Sequence, residues 1–291
     1  MKTSRQCLEC IRKDVLAAGT WLLPRDKYGM LEARVNRVLE KADRNKIPSY
    51  YITKVHRCLK SLSPKMGKLM EQRRQANQMV KKMLARFGRG SLEEKLRWAV
   101  WANFLDFRTA GVGYRYDNFK ALARRLDRRL HVDERDRIID AVRGAKKILY
   151  VLDNVGEIGF DRLLISAIRA KRKIICAVRG GVMTSDVTRE DARYFGLTRS
   201  LKVIKSGPDT LGLLREELSG AIRKALLDCD LVIAKGQANY YFFSTYRTLT
   251  KAPVVHLFTT KCDLVARQFG RKGKIGIAVL RGRWFHTHNS S

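Results

Sequence analysis

The sequence lacks any long apolar run. None of its segments reaches the roughly 18 consecutive apolar residues that a transmembrane helix needs. The N-terminus, with Lys2, Arg5 and Glu9, also lacks the pattern of a signal peptide. We therefore expect a cytoplasmic protein that makes no contact with a membrane.

Cysteine and histidine are scarce, with six and five residues in a chain of 291. Six cysteines are too few for a disulfide scaffold of this size, so reduced thiols are expected. His286 and His288 lie in what reads as a C-terminal tail. A metal site in the folded part would then depend on oxygen ligands, which favour hard cations such as magnesium or manganese over zinc.

Acidic residues are also few, at 28 against 60 lysines and arginines, which gives a net charge of +32. A field of this size attracts polyanions, so a nucleic-acid-binding protein is one functional alternative. However, the basic residues are spread along the chain, in runs such as RRQANQMVKKMLARFGR and ALARRLDRRL. Solvated helix faces account for most runs of this kind.

Two patterns of apolar residues divide the chain. Residues 1–143 have apolar side chains at helical spacing, which predicts a helical domain. Residues 144–283 contain short β-branched runs separated by helical segments, the pattern of a parallel sheet buried on both faces. We predict an α/β protein with a doubly wound, mostly parallel sheet after the helical domain, and a short tail over 284–291.

Polar residues follow the first predicted strand, and ligands of open parallel sheets bind at such strand ends. Asp153 and Asn154 are followed by Gly156 and the beginning of a helix, whose unpaired N–H groups favour an anion. The segment could hold both a metal ion and a phosphate. Alternatively, Asp153 and Asn154 only form a turn and cap the helix.

Other strand ends offer further candidates. Asp186 follows the second strand and would supply a third oxygen ligand, although Thr188 and Asp191 nearby also fit a simple helix cap. Lys235 precedes Gly236 at a later strand end, a cation beside exposed backbone amides that could cradle a phosphate. Lys261 is a second such cation. Either lysine alone is more often a surface residue.

The segments WANFLDF, DNVGEIGFD, SDVTREDA, AKGQANY and TTKC occur in this order. Together they resemble the damage-control metal-dependent phosphatase family, and in particular its stand-alone archaeal-type branch, which carries an early Cys-x-x-Cys. The resemblance implies a helical domain packed on a Rossmann-like α/β/α domain. It also implies hydrolysis of a small phosphorylated metabolite, such as a sugar phosphate or a phosphopantetheine-like compound, with one divalent ion of magnesium, manganese, cobalt or nickel.

Carried onto this chain, the resemblance assigns the metal to Asp153, Asn154 and Asp186. Further motif positions fall around the same pocket, at Glu157, Asn103, Asp106, Lys235, Asn239 and Lys261. Two positions depart from the family pattern: Ser185 stands where Asn is usual, and Tyr241 where Glu is common. The shorter Ser185 leaves room for a water, and the absence of a carboxylate at Tyr241 removes a substrate contact or base.

The expected mechanism is attack of a water, activated by the metal, on a phosphomonoester. Lys235 would clamp a phosphate oxygen, and the amides of Gly156 and Gly236 would add donors. A covalent route through Asp153 stays open. We expect the helical half to shape the acceptor pocket around Asn103, Asp106 and Arg108.

Two alternatives remain at this point. The first is the basic nucleic-acid-binding protein on the same scaffold, and the second is a transferase with a nucleotide cofactor, since a Rossmann-like sheet does not fix the function. The lack of a G-x-G-x-x-G after the first strand argues against the transferase.

The pair Cys7 and Cys10 could also bind zinc, because Cys-x-x-Cys presents two thiolates on one turn. Only Cys58 with His56 could complete such a site, and no second Cys-x-x-Cys follows. We therefore favour a reduced pair on the first helix.

Overall fold

The computed structural model describes residues 1–63, 66–105, 124–126 and 128–282. In these residues the helices, in chain order, are α1 Arg5–Leu22, α2 Tyr28–Glu40, α3 Pro48–Leu62, α4 Gly67–Met83, α5 Leu92–Ala102, α6 Arg135–Gly144, α7 Glu157–Ile168, α8 Arg189–Tyr194, α9 Leu197–Ser200, α10 Gly220–Asp228, α11 Gly236–Thr245 and α12 Asp263–Ala266. The strands are β1 Val132–Asp133, β2 Lys147–Val151, β3 Lys173–Val178, β4 Lys202–Lys205, β5 Leu231–Lys235, β6 Val254–Thr259 and β7 Gly276–Arg281.

All seven strands form one sheet in the order β1-β7-β6-β5-β2-β3-β4. Every neighbouring pair is parallel except β6 and β7, which run antiparallel. All residues of β5 and β6 are buried, as a central strand covered on both faces requires. The prediction of an α/β fold with a mostly parallel sheet is confirmed.

Alternate residues of each strand enter two different cores, one on each face of the sheet. Ile148 and Tyr150 of β2 belong to one core, together with side chains of α5, α6 and α7. Leu149 and Val151 belong to the other core, with side chains of α10 and α11. The sheet is therefore the middle layer of three.

The N-terminal helices divide into two groups. Helices α1, α2 and α3 surround a small core of their own, which includes Val15, Val35 and Val55. In contrast, α4 and α5 join the core of the sheet, through side chains such as Val80 and Trp101. The α/β layers therefore include helices from within the predicted helical domain.

The sheet also begins before residue 143, the expected boundary, because Val132 of β1 pairs with Ile277 of β7. A strand of two residues is too short to produce a periodic pattern.

None of the helices in the described residues is long and apolar enough to cross a membrane. Asp106, Arg108 and the predicted tail over 284–291 lie outside the described residues.

Candidate active site

The loops after β2 and β3 meet at the carboxyl edge of the sheet. The backbone N–H of Val155 donates to the carbonyl of Ser185 at 2.8 Å, and that of Val187 donates to the carbonyl of Asp153 at 2.7 Å. Asn154 and Asp186 face each other as an isolated antiparallel bridge. The structure thus brings together the three residues expected to hold a metal, as the convergence of parallel strand ends predicts.

The carboxylate of Asp153 is buried and is bound on one side only. Its Oδ2 accepts hydrogen bonds from the side-chain amides of Asn103, at 3.0 Å, and Asn154, at 2.7 Å. No described residue donates to its Oδ1, and Asp153 forms part of a pocket wall. Burial, together with the negative charges of Glu157 and Asp186, raises the pKa of Asp153 well above its ordinary value. A cation at Oδ1 would remove that penalty.

Asp186 is buried next to the pocket, and three neighbouring groups donate hydrogen bonds to its carboxylate. Its Oδ1 accepts from Arg179 Nε and from the N–H of Gly212, both at 3.1 Å. Its Oδ2 accepts from the Thr184 hydroxyl at 2.8 Å. A carboxylate has about four lone-pair positions, so Oδ2 keeps the capacity to bind a cation. The ion pair with Arg179 fixes the carboxylate without saturating it.

Ser185 stands where the resemblance expects Asn, and it lines the pocket. Its hydroxyl donates to Asn154 Oδ1 at 2.7 Å. Asn154 Nδ2 in turn donates to Asp153 Oδ2 at 2.7 Å and to Glu157 Oε2 at 3.1 Å. The amide of Asn154 is therefore fixed at both ends, with its oxygen on the side of the Asp186 loop.

Lys235 does not have the surroundings of a phosphate clamp. Its side chain is fully buried, and its Nζ donates to the carbonyl of Ala99 at 2.8 Å. It also forms ion pairs with Asp161, at 2.8 Å, and with Glu157. These three partners use all three ammonium donors, so none is left for a ligand. The expected role of Lys235 is corrected: it neutralises buried carboxylates beneath the site.

Glu157 connects Lys235 to the metal candidates. While its Oε1 pairs with Lys235, its Oε2 accepts from Asn103 at 2.8 Å and from Asn154 at 3.1 Å. The same two amides donate to Asp153. Glu157 therefore sets the orientation of the two groups that hold Asp153 Oδ2.

The two glycines expected to donate to phosphate differ. The N–H of Gly156 already donates to Asn77 Oδ1 at 2.8 Å, so that amide does not face a ligand. Gly236 has φ +79°, and a Cβ built there would lie 1.8 Å from Asp153 Oδ2. Position 236 requires glycine for a steric reason, because the backbone there approaches the Asp153 carboxylate too closely for any side chain.

Asn103 and Asn239 are both fully buried. Asn103 Oδ1 accepts from the N–H of Thr259 at 3.0 Å, which ties the end of β6 to Asp153. Asn239 donates to the carbonyl of Lys235 at 2.8 Å and accepts from Arg179 Nη2 at 3.4 Å. Both residues hold other site groups in place, and the expected contact of Asn239 with substrate does not fit its burial. Asp106 lies outside the described residues.

A pocket of about 200 Å³ opens in front of Asp153. Lys261 lines it, and its charge acts to lower the pKa of Asp153 against the dominant effect of burial. Its backbone N–H donates to Gln237 Oε1 at 2.7 Å. Helices α1 and α3 provide the outer wall, which includes Ile11 and Ile52. The helical half thus contributes to the pocket through α1 and α3, while Asp106 and Arg108, which were expected to shape it, lie outside the described residues.

Cys7 and Cys10 line this pocket together with Cys262. Cys58 instead packs beside the core of α1 to α3, and His56 lies 3.5 Å from Asp14. In the described parts of the chain, no three His, Cys, Asp or Glu side chains are grouped to hold a metal. A metal site here would therefore combine two carboxylates with the amide oxygen of Asn154.

Three site residues were missed by the sequence reasoning. Arg179 has a signal, since it directly follows β3 and precedes Gly180 and Gly181, at a strand end like the others. Arg73 lies within a basic helical run that resembles a solvated face, and only the structure shows that it is buried. Gln237 was included in the motif AKGQANY, but no role was assigned to it.

The chain is similar to several known proteins. An uncharacterized protein from Methanocaldococcus jannaschii is 28% identical over 283 residues, 93% of this chain and 92% of its own length. Damage-control phosphatases from Archaeoglobus fulgidus and Pyrococcus horikoshii are 36% and 31% identical over 151 and 179 residues, which cover 51% and 60% of this chain and the same shares of theirs.

A crystal structure of a DUF89 family protein from Pyrococcus horikoshii superposes with a TM-score of 0.82 at 25% identity, covering 97% of this chain and all of the other. The model of the damage-control phosphatase ARMT1-like domain matches residues 3–275. The chain belongs to the damage-control phosphatase ARMT1-like family.

Proposed function

We propose that the protein is a metal-dependent phosphatase that hydrolyses a small phosphomonoester. One divalent ion of magnesium, manganese, cobalt or nickel would be held by Asp153, Asn154 and Asp186. The observation that carries the proposal is an imbalance of buried charge. Among the described residues of the site, and apart from the ion pair of Arg73 with Asp191, the buried carboxylates of Asp153, Glu157, Asp161 and Asp186 stand against two buried cations, Arg179 and Lys235.

Unpaired charge inside a protein is costly, and buried carboxylates respond by holding protons. Burial raises the pKa of Asp161 to about 6 even though Lys235 pairs with it. The pKa of Asp153, whose side chain accepts from the amides of Asn103 and Asn154 among the described residues, is also raised by burial and its acidic neighbours. Two further positive charges would balance the cluster, and oxygen donors suit a hard divalent ion. The residues present therefore fit the metal that the family resemblance implies.

When bound, a divalent cation supplies charge stabilisation on the phosphoryl oxygens and lowers the pKa of a water. The protein's own groups do the positioning. Asn103 and Asn154 hold Asp153 Oδ2, so that Oδ1 is left toward the pocket. Lys261 supplies positive charge on the pocket wall, where the phosphate of a substrate would bind. Electrostatic stabilisation is the main requirement of phosphoryl transfer.

The remainder of the substrate would lie against the outer wall of the pocket. The lining of the pocket is mostly apolar there, with Ile11 and Ile52 on the outer wall and Leu211, Tyr241 and Leu264 beside it. Such a wall offers few partners for the hydroxyl groups of a sugar. Between the two expected substrate classes it favours a phosphopantetheine-like compound over a sugar phosphate.

The test is Asp153→Asn, assayed with p-nitrophenyl phosphate and each of the four metals. We expect turnover to fall by at least about 100-fold, because even the indirect partners of a metal ligand are worth about 10–100-fold. Calorimetric titration with manganese should show weakened binding, while the thermal unfolding midpoint stays close to wild type. Asp136→Asn, an exposed aspartate on α6, is the matched control. Unchanged turnover in Asp153→Asn would refute the proposal.

A further inference from the structure

A cavity of about 330 Å³ lies at the opposite edge of the sheet from the candidate active site. It is formed where α11 ends, β6 begins and β7 ends. Val254 at the start of β6 pairs with Arg281 at the end of β7, and both line the cavity. We call it the basic cavity and define it by Arg247, Lys251, His256 and Arg281.

The charge of the basic cavity is of one sign. Three cations line it and no carboxylate does, among the residues that the structure describes. Arg281 Nη1 is paired with Glu134 at 3.2 Å, outside the lining. Arg247 donates through Nε to the carbonyl of Ser244 at 3.3 Å, and no described residue accepts from its two terminal nitrogens. Donors therefore remain for a ligand.

His256 is the unusual member of this group. Its side chain is only 2% exposed, and its Nδ1 is buried with no hydrogen-bond partner in the described structure. The rings of Tyr240 and Phe243 hold it edge-on, with centroids 5.1 and 6.3 Å from its own. An unsatisfied buried polar group costs about 1–3 kcal/mol, and this one belongs to a residue of the cavity lining.

We propose that the basic cavity binds a phosphate group, either as the free ion or as part of a small phosphorylated molecule. Arginine guanidinium groups offer paired donors that match the geometry of phosphate oxygens, and lysine adds a point charge. Burial and Arg281 lower the pKa of His256 to about 3, so the ring is neutral and donates a single N–H. The enclosed shape suits a compact anion better than an extended polymer.

This site is independent of the proposed catalysis. Helix α11 runs from Gly236, beside Asp153, to Thr245, beside the basic cavity, so the two sites lie at its opposite ends. Binding in the cavity requires neither the metal nor Asp153. A failure of the phosphatase assay therefore leaves this proposal untouched, and the reverse also holds.

The experiment follows the imidazole ¹⁵N signals of the five histidines while the whole protein is titrated with inorganic phosphate in the presence of a chelator. We expect the signals of His256, assigned by their loss in His256→Gln, to shift saturably. In Arg247→Gln/Lys251→Gln the apparent Kd should rise at least tenfold. Both side chains are exposed, so this variant should fold. The control Lys82→Gln/Lys224→Gln removes two exposed charges elsewhere and should bind as wild type.

A second titration uses ribose 5-phosphate under the same conditions. Tighter binding than inorganic phosphate would support a phosphorylated small molecule, and equal or weaker binding would support the free ion. His256 signals that stay unchanged by either ligand overturn the proposal. A shift of equal strength in the Arg247→Gln/Lys251→Gln variant also overturns it. So does a response to a DNA oligonucleotide in the absence of any response to phosphate, which would make the surface a nucleic-acid contact.

Discussion

At the scale of single residues, the atoms around Asp153 in the candidate site are packed so closely that a larger side chain would not fit. Asp153 Oδ2 accepts from the amides of Asn103 and Asn154, and the backbone of Gly236 approaches the same carboxylate closely. Because interiors are packed at crystal-like density, a single added carbon must move the carboxylate. The geometry of Asp153 is therefore sensitive to its neighbours as well as to its own replacement.

Gly236→Ala tests this packing. The new Cβ would lie 1.8 Å from Asp153 Oδ2, so we expect loss of phosphatase turnover by about the same factor as for Asp153→Asn. Gly196→Ala is the matched control, because Gly196 has nearly the same φ, +76°, with no atom within 4 Å of the new Cβ. The control should lose about 1–2 kcal/mol of stability from backbone strain alone and keep its turnover. Equal turnover in both variants would contradict the prediction.

Substitutions of the two lysines that were expected to bind phosphate, Lys235 and Lys261, should have different effects. Lys235→Met leaves the buried carboxylates of Glu157 and Asp161 unpaired, so the free energy of unfolding should fall by about 3–5 kcal/mol. Lys261→Met changes the pocket wall and should mainly raise KM for p-nitrophenyl phosphate. Urea unfolding and steady-state kinetics on both variants measure the two effects. A Lys235→Met variant that keeps its stability but has a raised KM would instead support the phosphate-binding role first expected for Lys235.

At the scale of elements, helix α4 contacts both loops of the candidate site. Arg73 Nη1 donates to the carbonyls of Thr184, at 2.6 Å, and Asp186, at 2.8 Å, and its Nη2 pairs with Asp191. Asn77 donates to Asp191 at 2.8 Å and accepts from the N–H of Gly156 at 2.8 Å. One face of a single helix therefore sets the distance between the Asp153 loop and the Asp186 loop.

Arg73→Met should therefore weaken metal binding without removing a metal ligand. We expect the Kd for manganese to rise about 10–100-fold, the range for groups that support metal ligands indirectly. Arg74→Met, on the exposed face of the same helix, removes the same charge and should change neither metal affinity nor turnover. Titration calorimetry of the two variants makes the comparison. Equal affinities would show that the loops hold their spacing without α4.

The sequence predicted those elements whose signal is local. The buried β-branched runs gave six strands of the sheet, and Thr188 with Asp191 does form the predicted capping box at the start of α8. The convergence of Asp153, Asn154 and Asp186 followed from topology. The burial of Lys235 could not be predicted, because its partners Ala99 and Glu157 are 136 and 78 residues away. Arg73 and β1 also depend on distant segments.

At the scale of the whole molecule, the net charge of +32 extends well beyond the candidate site. Few of these charges are needed by the proposed chemistry, since among the described residues the charged side chains that line the pocket are Asp14, Asp153 and Lys261. The excess produces a long-range field that concentrates anions near the surface. Phosphorylated substrates would benefit from this field, and polyanions would compete with them.

Heparin should therefore inhibit p-nitrophenyl phosphate hydrolysis at low ionic strength, and the inhibition should disappear as salt is added. Release of condensed counterions makes such binding fall steeply with salt, by about 10³–10⁵ between 50 and 200 mM for a protein with 6–10 phosphate contacts. Initial rates over a salt series, with and without heparin, provide the measurement. Binding of a nucleic acid that persists at high salt and ignores added metal would instead favour the nucleic-acid alternative.

The antiparallel direction of β7 has a practical consequence for work on this protein. Since β7 runs against β6, it carries the chain away from the edge that bears the candidate site and brings Arg281 to the opposite end of the strands. An affinity tag fused directly after Gly282, in place of residues 283–291, would begin on the side remote from Asp153 and should not hinder enzyme assays. The same tag would start next to Arg281, so it should be cleaved before any phosphate titration.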